Sequence, residues 1–122
     1  MRLLLVCLLY ISFSNASVID QEIKEALGPS ICTFKVTSGL RTIEDNRRVH
    51  GAPASYHLID RARDLVFETE ECKKEAVRRF YLYGLTVIIY KVHLHIDNRS
   101  NQKCLVHYRF RKYRNCTKEE EM

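Results

Sequence analysis

In VIDQEIKEALG (residues 18 to 28) the apolar side chains fall at Val18, Ile19, Ile23, Ala26 and Leu27. That is the spacing of one helical face, and Gly28-Pro29 stops it. The period then changes. CTFKVTSG (32 to 39) alternates Phe34 and Val36 with polar neighbours, which predicts a strand. TIEDNRRVHG (42 to 51) opens on Thr42 as a cap, runs from acids to bases and ends on Gly51, an order that suits the dipole of a second helix. GAPAS is a turn, and ARDLVF a strand. ETEECKKEAVRRFYLYG (68 to 84) is the strongest helix, with acids first, Arg78 and Arg79 late, and Gly84 at its end. LTVIIYKVHLHID (85 to 97) is β-branched and aromatic, one long strand or two joined near Lys91. CLVHYRFRKY (104 to 113) alternates again and reads as a further strand. The sum is an α+β fold, a small mostly antiparallel sheet packed with two or three helices.

The first sixteen residues follow a different pattern. Arg2 precedes an apolar run from Leu3 to Phe13, and Ser14 and Ala16 form a small-x-small cleavage pattern before Ser17. This reads as a secretory signal peptide over 1–16. The run has eleven residues, whereas a membrane span needs about 20. Cleavage leaves 106 of the 122 residues and, without Arg2, one positive charge fewer than the +5 of the whole chain. Residues 17–122 contain no repeat, low-complexity block or linker, so a single domain is expected, as a secreted monomer, extracellular or periplasmic if the host is bacterial. A domain this small often needs staples. Cys7 leaves with the signal; Cys32, Cys72, Cys104 and Cys116 remain, which is two disulfides with three connectivities open. They include no C-x-x-C pair, which argues against a structural zinc on cysteine. Asn98-Arg99-Ser100 and Asn115-Cys116-Thr117 are glycan acceptor triplets in a eukaryotic secretory pathway.

Five histidines, His50, His57, His93, His95 and His107, bring in the chemistry. His57 and Asp64 bracket the entry to the ARDLVF strand. His93 and His95 stand two residues apart and so share one face of a strand. A catalytic zinc takes three ligands of the His, Asp or Glu type and keeps one position open. His57, Asp64 and one of His93 or His95 can supply that set from two neighbouring strands.

These residues also carry a resemblance. TSGLRTIEDNRRVHGAPASYHLIDRARDLVF resembles the zinc D-alanyl-D-alanine carboxypeptidase family of peptidoglycan peptidases, which shares its fold with the hedgehog signalling domain. The matching positions are Ser38-Gly39-Leu40-Arg41, Asn46, the Gly51-Ala52-Pro53 turn, and Ser55, His57, Ala62 and Asp64; His95 and Asp97 match the later H-x-D strand. The resemblance spans roughly residues 34 to 99. It implies a hedgehog/DD-peptidase-like fold and a Zn2+ held by His57, Asp64 and His95. It gives Arg41 the substrate carboxylate or the developing oxyanion, a task that a planar two-pronged donor suits. Ser55 would orient the loop or a ligand. The chain departs from the family at two positions. Asp60 stands where the motif has glycine, and Val92 stands where many members place an acidic base. Aspartate can adopt a positive φ at some cost, and would add a carboxylate near the metal. His93 can shuttle the proton in place of the missing acid, and Asp97 can serve as base or as support for His95.

The function implied is a secreted zinc metallopeptidase acting on peptidoglycan stem peptides, of carboxypeptidase or endopeptidase type. A zinc-binding protein of the same fold without turnover is the alternative. VHYRFRKYRN (106 to 115) sets Val106, Tyr108, Phe110 and Lys112 against His107, Arg109, Arg111 and Tyr113. That is an amphipathic strand with a solvated basic face, or one drawn to an anionic cell-wall surface. Neither nucleic acid nor membrane is expected as a partner.

Overall fold

A computed structural model of the chain describes residues 17–29 and 32–116. The expected signal peptide, 1–16, lies outside the described residues. No helix among them is long and apolar enough to cross a membrane.

Helix α1 (Val18–Leu27) starts on Ser17, whose hydroxyl accepts from the Asp20 amide at 3.2 Å, and buries Ile19, Ile23 and Leu27. Strand β1 (Phe34–Ser38) follows, then helix α2 (Ile43–Arg48), capped by Thr42. A 3-10 turn (Tyr56–Ile59) leads into β2 (Ala62–Phe67). Helix α3 (Glu70–Leu82) buries Ala76, Val77 and Phe80 and is capped by the Thr69 hydroxyl. The remaining strands are β3 (Thr86–Ile89), β4 (Leu94–Asp97), β5 (Cys104–Arg109) and β6 (Lys112–Asn115). They form one six-stranded sheet in the order β1-β2-β4-β3-β5-β6, antiparallel except where β3 meets β5.

The α+β architecture is thus the expected one. Leu65 and Phe67 of β2, Val87 of β3, and Leu94 and Ile96 of β4 turn one way and share a core with Ile19, Ile23, Val77 and Phe80 of the helices. Strand alternation sends the residues between them, Asp64, Ile88, His95 and Asp97, to the opposite face. The hydrophobic effect therefore decides which side of the sheet is free for chemistry.

Two stretches resolve beyond the sequence reading. Residues 85–97 are two strands, because the Tyr90 amide donates to the His93 carbonyl at 3.0 Å and closes a tight turn. Buried Lys73 of α3 fastens that turn, its Nζ donating to the carbonyls of Tyr90 (2.6 Å) and Lys91 (3.2 Å). Residues 104–113 are not one strand. Phe110 and Arg111 form a turn, Arg111 at φ 55°, and β6 pairs back on β5 with His107 opposite Tyr113. Apolar–polar alternation runs through that turn without a glycine or asparagine, so periodicity hides it.

Of the three connectivities, the disulfides are Cys32–Cys72, which ties the approach to β1 onto α3, and Cys104–Cys116, which closes the β5–β6 hairpin at its base. The Asn98 amide faces away from His95. Its Nδ2 donates to Glu22 of α1 and its Oδ1 accepts from Arg61, each at 2.7 Å. Asn115 is exposed on β6.

Candidate metal centre

The centre starts from a register. Asp64 on β2 is paired with His95 on β4, and His95 with Ile88 on β3. Directly opposed residues on antiparallel strands have neighbouring side chains on the same face, and Asp64 Oδ1 lies 3.3 Å from His95 Nδ1. His57 comes from the 3-10 turn. The Ser55 hydroxyl accepts from the His57 amide at 3.2 Å, the loop-orienting contact expected of it. The turn ends on Asp60 in the left-handed region, φ 58°, the conformation glycine adopts most readily. The expected stray carboxylate does not reach the centre. Asp60 Oδ1 lies 2.7 Å from Arg63 Nη1, and Arg63 leaves β2 on the other face, toward Asp20 at 2.9 Å.

His57 Nε2 is 3.2 Å from Asp64 Oδ1 and 3.2 Å from His95 Nδ1, so three ligand atoms form a nearly equilateral triangle. A tetrahedral ion with bonds of about 2.0–2.1 Å holds its ligand atoms about 3.3 Å apart. The other ring nitrogens set the tautomers. His57 Nδ1 lies 2.8 Å from the Gly39 carbonyl, which only accepts, so Nδ1 carries the proton and in the neutral ring Nε2 is bare. His95 Nε2 lies 2.7 Å from Asp97 Oδ2. Against its burial, hydrogen bonds to Asp64 and Asp97 raise the pKa of this ring; in its neutral form Nε2 keeps the proton and Nδ1 is bare. Three acceptors therefore converge on one point, an arrangement that a cation satisfies. Two neutral imidazoles and one carboxylate suit zinc well. Burial alone would push the Asp64 carboxyl up. Hydrogen bonds from the His57 and His95 rings, made while those rings carry the protons that a metal displaces, instead hold it well below the usual range.

Asp97 sits behind His95. It is fully buried, and Oδ1 accepts from the amide and Nε of Arg99 at 3.1 and 2.8 Å, while Oδ2 takes Arg99 Nη2 and His95. Against its burial, the Arg99 and His95 hydrogen bonds lower its pKa to about 2. Of the two tasks expected for Asp97, its geometry serves support of His95, because its oxygens are committed away from the converging ligand atoms.

Arg41 is held by three side chains: Nε donates to Ser38 Oγ at 2.9 Å, Nη1 to Asn46 Oδ1 at 3.3 Å and Nη2 to Asp64 Oδ2 at 3.0 Å. Buried Asn46 is itself fixed by donating to the Ala52 carbonyl at 2.8 Å. Gly51 makes room for it, since a Cβ there would lie 2.0 Å from Asn46 Oδ1. The spacing of Arg41, Asn46 and Gly51 along the chain therefore has one physical cause.

His93 stacks on Tyr90 with ring centroids 4.4 Å apart, and its Nε2 lies 3.9 Å from Asp64 Oδ1. Burial pushes its pKa down, which leaves it neutral and able to accept a proton. Val92, at the position where the resemblance expects an acid, is 66 % exposed. A cleft of about 680 Å³ opens over these groups. Its far wall holds Tyr90, His107, Phe110, Arg111 and Tyr113, none of which the sequence reading assigned to the site; the hidden turn at Phe110-Arg111 concealed the last four. Arg99 also escaped notice, although its position two residues after Asp97 is a local signal for the pair.

The family model described as Peptidase M15 matches residues 13–97, a stretch that contains His57, Asp64, His95, Arg41 and Asp97. No curated protein and no solved structure matches the chain.

Proposed function

The chain belongs to the peptidase M15 family, and from that premise we propose that it is a secreted zinc metallopeptidase that hydrolyses peptidoglycan stem peptides, as a D-Ala-D-Ala carboxypeptidase or an endopeptidase. The observation that carries the reading is the triangle of bare ligand atoms on His57, Asp64 and His95, each imidazole oriented through its second nitrogen. Those three residues would hold the zinc. When bound, the ion supplies Lewis acidity toward a carbonyl and acidifies water.

The chain's own residues do the rest. Arg41, fixed at 3.0 Å from Asp64, presents a charged donor beside the ligands and binds either a terminal carboxylate or the oxyanion. His93, neutral and stacked on Tyr90, takes a proton from water and returns it to the leaving amine. Asp97 and Arg99 hold the His95 ring in place.

Val92 favours a second reading, in which the protein binds zinc and peptide without turnover, since no acid occupies that position. One experiment separates the two. The chain is produced through a secretory pathway, its zinc content is measured, and amine release from peptidoglycan fragments is assayed with His57→Ala as control. One zinc per chain and release that vanishes in the variant are expected. Zinc without release supports the second reading, and absence of zinc removes both.

A further inference from the structure

The β5–β6 hairpin stands over one end of the cleft, and the charge there is unbalanced. Arg41, Arg99 and Arg111 line the cleft, while Asp64 is its only carboxylate among the described residues. Arg41 is paired with Asp64 and Arg99 with Asp97. The only charge or ring contact of Arg111 among the described residues is its neighbour Phe110, 5.7 Å from guanidinium carbon to ring centroid.

The backbone at Arg111 adds a second observation. Its φ of 55° is a conformation that hairpin turns assign to glycine or asparagine. A long charged side chain kept at such a position is an outlier from which a functional role can be argued. The hairpin is also held in place. Cys104–Cys116 closes its base. His107 and Tyr113 pack on Tyr90 at 4.9 and 6.3 Å, and Tyr90 on His93, so a run of rings joins the hairpin to the centre.

We infer that this hairpin is a substrate-binding wall, and that Arg111 at its tip binds a carboxylate of the peptide on the amino-terminal side of the bond that is cut. The inference rests on the peptidase reading. The strand order sets the polarity. Arg41 lies at the β2 end of the cleft and the hairpin at the other end. Of the two tasks the resemblance gives Arg41, the terminal carboxylate or the oxyanion, the first is the one taken for this polarity. The register sets the reach. His95, Ile88 and Leu105 are level across β4, β3 and β5. The tip is thus two strands across and somewhat more than four residues along, about 16 Å by strand spacing. An extended peptide covers that in about five residues. The preferred substrate is therefore an acidic peptide.

The test uses the zinc-loaded full chain and labelled peptide pairs that differ only by Glu or Gln. The exchange is moved through the five positions before the scissile bond, and Kd is read by fluorescence anisotropy. At one of these positions the Glu peptide should bind about tenfold tighter, the size expected of one charge-assisted contact in a partly wet cleft. Arg111→Gln should erase the preference, bringing the Glu and Gln peptides to the same Kd. Arg111→Gly should erase it too, yet raise Tm, because glycine relaxes the turn. No preference at any position overturns the inference, as does a preference that survives both substitutions. Preference in binding without amine release upholds the wall and removes the peptidase reading.

Discussion

Asp64 and His95 are directly opposed on neighbouring antiparallel strands, and their ligand atoms stand 3.3 Å apart. Two of three converging donors are thus positioned by backbone hydrogen bonding. Such a site needs little reorganisation on binding a metal. What the register does not fix is the rotation of the His95 ring, and that is the role of Asp97.

Replacing Asp97 by Asn tests this. The amide keeps the shape but can present its NH2 group to His95 Nε2, which favours the other tautomer and removes the bare Nδ1. Metal affinity should fall by about 10–100-fold, the usual cost of losing an outer partner. Arg99 also loses the charge it faces at 2.8 Å, so some stability is lost as well. Competition with a chromophoric chelator reads the first effect and denaturant unfolding of the metal-free protein the second. Unchanged affinity would assign Asp97 to packing alone.

Gly51→Ala should act through Asn46. A Cβ 2.0 Å from Asn46 Oδ1 forces that side chain to move, and Arg41 loses one of its three supports. Metal affinity should change little, because His57 and His95 do not touch Asn46. Turnover should fall by about tenfold to a hundredfold, as for a reacting group misplaced by about 1 Å. Asn46→Ala should give a similar loss. The double variant should be no worse than the worse single one, because both act on the same guanidinium. Additive losses in kcat would show that Gly51 matters for another reason.

The ligand set was legible in part from local patterns: a period of two puts Asp64, and His93 together with His95, on the face opposite Leu65, Leu94 and Ile96, while the choice of His95 over His93 came with the family resemblance. The order β2-β4-β3 was not legible, since no local signal says that a strand inserts between two others. The β5–β6 turn was hidden for a different reason. Its two residues, Phe110 and Arg111, continue the alternation of the strands around them, and Arg111 takes a conformation that its side chain does not advertise. With the turn hidden, the pairing of His107 with Tyr113, and hence the aromatic wall, was out of reach.

Lys73 supplies a prediction about pH. Burial pushes its pKa down, with Glu70 acting weakly the other way, while its Nζ holds the carbonyls of Tyr90 and Lys91. The unfolded chain therefore binds more protons than the folded one between the lowered value and the ordinary 10.5. Stability from this group rises as pH increases through that window. Measured by denaturant unfolding between pH 7 and 10, the native protein should gain on Lys73→Met as pH rises. A gap that stays constant, or narrows, would mean that Lys73 is charged in both states.

The two disulfides should separate stability from recognition. Cys32–Cys72 spans 40 residues and Cys104–Cys116 spans 12. By chain entropy they restrict the unfolded state by about 4 and about 3 kcal/mol. The double replacement Cys32→Ser with Cys72→Ser should therefore be the more destabilising of the two in unfolding experiments. It lies on the helix side of the sheet, so metal affinity and peptide binding should be nearly unchanged below the unfolding transition. Cys104→Ser with Cys116→Ser should cost less stability but release the base of the hairpin whose tip carries Arg111. Peptide affinity should fall severalfold while zinc affinity holds, because the wall is ordered only on binding and that ordering opposes association. If the second pair of changes leaves peptide binding intact, the packing of Tyr113 and His107 on Tyr90 is enough to hold the wall, and the disulfide serves stability alone.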